Sequence, residues 1–188
     1  MKRFVVRLAQ IVTMFACVMT GAGQTLEGAG IVYGRDHAFA IAAPAGWVLD
    51  NGAGRNEGLP VVFYPDGQSW RTSETVMYAN TASKSAKGQE TLEELMAYDV
   101  AQFRKRAPGL SVTVLPDIKA KEITATVRRF EGDEHGNFEA VAYIDEKQTI
   151  IMLVLSARTR EGFDKSYAAF EKLVGSYQFL TSNVTIRE

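Results

Sequence analysis

Apolar positions recur along this chain in two rhythms, one of two residues and one of three or four, and the switches between them mark out strands and helices. Phe39 and Ile41 alternate with alanines until Pro44, Gly46 and Trp47, where a strand must stop because proline donates no ladder hydrogen bond. Residues 50–59 hold Gly52, Gly54 and Gly58 among polar neighbours, a loop composition. Residues 61–64 are strand-like and end at the turn Pro65, Asp66, Gly67. In residues 74–79, Val76 and Tyr78 fall on one side of a strand and Met77 on the other.

The rhythm lengthens at Thr91, where a threonine followed three residues later by Glu94 forms a capping box. Leu92, Leu95, Met96, Phe103 and Ala107 then make one apolar stripe, interrupted only by Asp99 and closed by Pro108 and Gly109. Three further strands are predicted over 110–115, 123–130 and 138–144, with a turn over 132–137. Residues 149–157 are almost continuously apolar and should form a central strand covered on both faces. A last helix begins near Thr159 and lines up Phe163, Tyr167, Phe170, Val174 and Tyr177, before a short extended tail over 177–180. This order predicts an α+β fold with a mostly antiparallel sheet of six or seven strands sandwiched with helices.

The first residues change the picture from fold to location. Lys2, Arg3 and Arg7 precede an apolar run over 11–19 and the small residues Gly21, Ala22 and Gly23, the layout of an export signal. The chain is therefore divided into a signal peptide over 1–23, a flexible junction over 24–36, one domain over 37–181 and a tail over 182–188. The protein is expected in the periplasm or secreted. The alternatives are an uncleaved anchor, for which Gln10 and Thr13 leave the run short, and a lipoprotein acylated at Cys17, whose neighbour Phe15 is bulky for that role. Membrane association is expected only in those two cases.

Charge and cysteine content narrow the function. Taking Lys2, Arg3 and Arg7 from the 21 basic residues leaves 18 against 22 acidic ones, about −4, which argues against a nucleic-acid partner. Cys17 is the single cysteine, so the chain beyond it has no disulfide, thiolate nucleophile or cysteine-bound zinc. His37, beside Asp36, reads as a surface residue at a strand entrance, and His135 in a stretch with Asp133 and Glu134 as part of a solvated turn. Ser69, Ser73 and Ser156 have no recognisable base. Neither glycine set, at 28, 30 and 34 or at 52, 54 and 58, has phosphate-loop spacing. No cofactor, metal or catalytic residue is assigned.

The most distinctive stretch is residues 63–80, where Phe63, Tyr64, Trp70 and Tyr78 alternate with turn and polar residues. Trp47, Tyr64, Trp70, Arg71 and Tyr78 are the candidate surface for a partner or ligand, because aromatics and guanidinium groups anchor contacts. The opening FAIAAPAGW, the strand ending VVFYP, the helix after TLEEL and the closing aromatic helix with Ser176, Tyr177 and Phe179 resemble the Mog1/PsbP-like superfamily over residues 39–180, in particular its small exported DcrB-like members. The resemblance implies an antiparallel sheet between helices, no enzymatic activity, no cofactor, and a role as a binding partner or subunit of protein assemblies. The expected function is an exported, non-enzymatic domain that binds or stabilises another envelope protein. The alternative is carriage of a small apolar ligand in a helix/sheet cleft walled by Trp47, Trp70 and Tyr78, and a third reading is an unrecognised hydrolase.

Overall fold

The computed structural model describes residues 28–185, so the export-signal segment, Cys17 and the last three residues lie outside it. In chain order the elements are β1 (Ala29–Tyr33), β2 (Ala38–Ala42), β3 (Trp47–Asp50), a 3-10 turn (Arg55–Glu57), β4 (Val61–Pro65), β5 (Thr75–Ser83), α1 (Leu92–Arg106), β6 (Ser111–Ala120), β7 (Ile123–Glu131), β8 (Phe138–Asp145), β9 (Thr149–Ala157), α2 (Arg160–Ser176) and β10 (Gln178–Thr181). Seven strands form one antiparallel sheet in the order β3-β4-β5-β9-β8-β7-β6. The α+β architecture is the one the apolar rhythms predict, and β9 lies fourth of seven.

Strand parity on β9 divides the interior in two. Ile151, Leu153, Leu155 and Ala157 point into a large core with Phe163, Phe170, Leu173 and Val174 of α2. Ile150, Met152 and Val154 point the other way, into a smaller core with Leu95, Met96 and Phe103 of α1. The helices therefore clasp the sheet from opposite faces. Both helix starts follow from local chemistry. Thr91 Oγ1 accepts from the Glu94 amide at 3.2 Å while Glu94 Oε2 accepts from the Thr91 amide at 3.2 Å, and Thr159 Oγ1 accepts from the Gly162 amide at 3.0 Å.

Three features depart from the sequence expectations. Residues 29–33, read as part of a flexible junction, form β1, which pairs with β2; β2 pairs in turn with β10, giving a second sheet of three strands over the α2 face. Its glycine-rich composition hides the strand, yet Val32 reaches the large core. Strand β6 runs on past Leu115 to Ala120, because Pro116 sits at a register shift on an edge strand where no ladder bond is required of it. His37 is buried at 7% exposure rather than on the surface. Its ring lies over Gly34, where an added Cβ would come within 2.4 Å of Cε1, so only glycine fits there.

Candidate functional site

Pairing places Val48, Asp50, Val62, Tyr64, Val76 and Tyr78 on the α1 face of the sheet, and Trp47, Leu49, Phe63 and Met77 on the α2 face. The β3–β4 edge of the α1 face is roofed by two loops, residues 51–60 and 66–74. Between them opens a cleft of about 360 Å³ bounded by Asp50, Ala53, Asn56, Tyr64, Trp70 and Arg71.

Most polar groups of this cleft serve to build it. Asp50 Oδ1 accepts from the amides of Gly52 at 2.7 Å and Ala53 at 2.9 Å, which bends the chain out of β3 into the loop. Its Oδ2 accepts from the Tyr64 hydroxyl at 2.9 Å. The two amide donors, with help from Tyr64, hold the Asp50 carboxyl below its ordinary value, and the same carboxylate raises the Tyr64 phenol. Across the cleft, Trp70 Nε1 donates to Glu57 Oε2 at 2.6 Å, tying one loop to the other. The Trp70 ring meets Tyr78 edge-on with centroids 6.2 Å apart, which links the rim to the α1 core. Arg71 differs from these groups. It is exposed, and among the described residues no carboxylate lies within ion-pair distance of it.

Of the five residues singled out in the sequence, Tyr64, Trp70 and Arg71 thus share one cleft, and Tyr78 supports it from below. Trp47 does not join them. It packs against the large core on the opposite face of the sheet, because it is one residue out of phase with Val48, the partner of Tyr64. No common wall of Trp47, Trp70 and Tyr78 exists. A helix/sheet cleft is present elsewhere: about 260 Å³ between α2 and β6, lined by Leu115, Pro116, Arg129, Phe163, Asp164 and Tyr167.

Two carboxyls on the α1 face, half-buried Asp99 and buried Glu139, are missed by sequence periodicity. Tyr143, 1% exposed, donates its hydroxyl to Asp99 Oδ2 at 3.0 Å across the helix–sheet boundary. Burial raises the Asp99 carboxyl, an effect the Tyr143 bond only partly offsets. Glu139, 7% exposed on β8 opposite Ser156 of β9, is likewise pushed up by burial, with the Ser156 bond pulling the other way. The signal for Asp99 was its place inside an apolar stripe. For Glu139 it was a charge in a strand whose same-face neighbours are Val141 and Tyr143.

These groups do not assemble a reaction centre. His37 Nδ1 lies 3.0 Å from Asp36 Oδ1, and Ser83 donates to Asp36 Oδ2 at 3.0 Å, so both bond the aspartate and no hydrogen bond joins the histidine to the hydroxyl. His135 is exposed in the β7–β8 turn, at the end of the sheet away from His37. Ser69 bonds Thr72 at 2.8 Å and Ser73 donates to the Ser69 carbonyl at 2.8 Å. Among the described residues no cluster of three or more metal-ligating side chains occurs. The cleft offers contact surface: an aromatic floor and rim, and one uncommitted guanidinium.

No family model matches the chain, and no curated protein matches it. Solved structures do. Cyanobacterial PsbP (CyanoP) from Synechocystis aligns with a TM-score of 0.52 at 11% identity, covering 87% of this chain and 99% of that one. A Pseudomonas aeruginosa protein of unknown function, PA94, aligns at 0.49 with 12% identity over 84% of this chain and 99% of that one. The Saccharomyces cerevisiae Ran-binding protein Mog1p aligns at 0.46 with 10% identity over 74% and 89%. The seven-stranded antiparallel sheet clasped by two helices is the fold this chain shares with the PsbP structure.

Proposed function

We propose that this protein is an exported, non-enzymatic binding domain that engages another protein of the cell envelope through the cleft between residues 51–60 and 66–74. The observation that carries this reading is the division of labour in the cleft. Asp50, Tyr64, Glu57 and Trp70 satisfy one another and fix the rim, which leaves the exposed Arg71 and the aromatic surfaces free to contact a partner. A pre-ordered rim of aromatic and guanidinium groups loses little side-chain entropy on binding, which favours recognition. Export rests on the basic, apolar and small-residue succession of residues 1–23.

A photo-crosslinking amino acid at position 71, introduced in the living host, should trap one discrete envelope protein, and the same probe at exposed Thr113 of β6 should not. Cell fractionation with sequencing of the mature amino terminus tests export in the same preparation. Absence of a band specific to position 71, or a protein retained in the cytoplasm, would sink the reading. Carriage of a small apolar ligand draws support from the α2/β6 cleft, whose Leu115, Phe163 and Tyr167 walls are apolar, although 260 Å³ lies just below the usual range for such sites. Native mass spectrometry decides it by the presence or absence of a retained mass.

A further inference from the structure

The two sheets differ in how they end. On the large sheet, edge strand β6 carries Pro116, Asp117 and Lys119 and a register shift between Leu115 and Ile118, devices that keep another strand from pairing with it. Strand β1 ends the small sheet and has none of them: its five residues, Ala29 to Tyr33, include no charge and no proline.

The phase of its ladder shows what this edge presents. Ala43 donates to the Gly28 carbonyl at 2.9 Å and Gly34 to the His37 carbonyl at 2.8 Å. Hydrogen-bonded pairs alternate along an antiparallel ladder, so Gly30 and Val32 turn their backbone groups to β2. Ala29, Ile31 and Tyr33 turn theirs away, and among the described residues no strand pairs with β1 on that side. The same residues show their side chains to solvent, Ile31 at 64% exposure and Tyr33 at 59%.

We infer that the free edge of β1 is a self-association site, where a second copy of the chain adds its own β1 antiparallel about a two-fold axis at Ile31. Two observations select a second copy. In this register Tyr33 faces Ala29 of the second copy, so a large side chain meets a small one. A gap of about 290 Å³ separates Ile31, Val32 and Tyr33 from the loop residues Arg55, Leu59 and Pro60, and the part of the second copy that enters it is Ala29 and Gly30, its narrowest. The result is one six-stranded sheet shared by two molecules, closed by its own symmetry.

Sedimentation equilibrium of the full chain should show a monomer–dimer equilibrium. Ile31→Lys puts an edge-blocking charge on an exposed side chain, so it should leave circular dichroism unchanged and weaken association about tenfold or more. Amide exchange at Ile31 and Tyr33 should slow with rising protein concentration in the wild type and not in the variant. A chain that stays monomeric at every concentration overturns the proposal. So does a dimer that survives Ile31→Lys with freely exchanging β1 amides.

Discussion

The two faces of the large sheet are built to different standards. On the α2 face, Phe39, Phe63, Phe170, Leu173 and Val174 are all fully buried and pack against alanine and aliphatic positions of β5, β8 and β9. On the α1 face, Leu95 is the only residue of the helix that is fully withdrawn, and the layer encloses Asp99, Glu139 and two tyrosines. Burial of apolar surface makes the first face the source of stability. The second face exchanges part of that gain for polar groups whose protonation and partners can change. Its outer margin, where α1 no longer covers the sheet, is the place where the Trp70 cleft opens.

The contrast can be tested by truncating each layer in turn. Phe170→Ala opens a cavity in the dry core and should cost about 3–5 kcal/mol, whereas Leu95→Ala beneath α1 should cost closer to 2–3 kcal/mol, both read from urea unfolding midpoints. Equal losses would mean the faces are equally packed. Asp99 sharpens the comparison: Asp99→Ala leaves the Tyr143 hydroxyl buried without an acceptor and should cost about 1–3 kcal/mol, while Asp99→Asn keeps an acceptor oxygen and should cost less. If the two variants are equally destabilised, the hydroxyl is not what Asp99 serves.

The smallest effect expected is a difference in pH response. Asp99 and Glu139 have raised carboxyls in the folded state. The folded state therefore holds their protons more tightly than the unfolded one, and the stability they contribute is complete at low pH and is lost as pH rises through their folded values. Asp50 runs the other way: its carboxyl is lowered, so its contribution is present above the unfolded value and lost as pH falls through the folded one. Asp36 follows Asp50, since bonds from His37 and Ser83 outweigh the upward push of burial. Thermal melts from acid to neutral pH should show Glu139→Gln flattening the decline toward neutrality and Asp50→Asn flattening the decline toward acid. Identical profiles for both variants and wild type would remove the electrostatic distinction between the regions.

Much of this fold is legible in the sequence, and the limits are physical. Thr91 with Glu94, Thr159, and the unbroken run from Ile150 to Leu155 carry local signals strong enough to place both helices and the middle strand. What sequence periodicity lacks is parity across strands. Trp47 and Trp70 look equivalent as exposed aromatics, but a one-residue offset on β3 sends Trp47 through the sheet to the other core. β1 escapes notice because its stability comes from pairing with β2 and from Val32 meeting residues far along the chain, and nothing within its own five residues announces that. The cleft was legible in its residue types, Tyr64, Trp70 and Arg71. Its construction was not, since Asp50 and Glu57 come from a stretch that reads only as a loop.

Strand β9 belongs to both interiors at once, offering alternate side chains to each. Neither helix can therefore be stripped away without exposing a surface of the same nine-residue strand that anchors the other. The two layers, however different in polish, are bound to one fate: heat or denaturant should dissolve them in a single cooperative step, with no half-molten state in which one helix has left and its opposite remains.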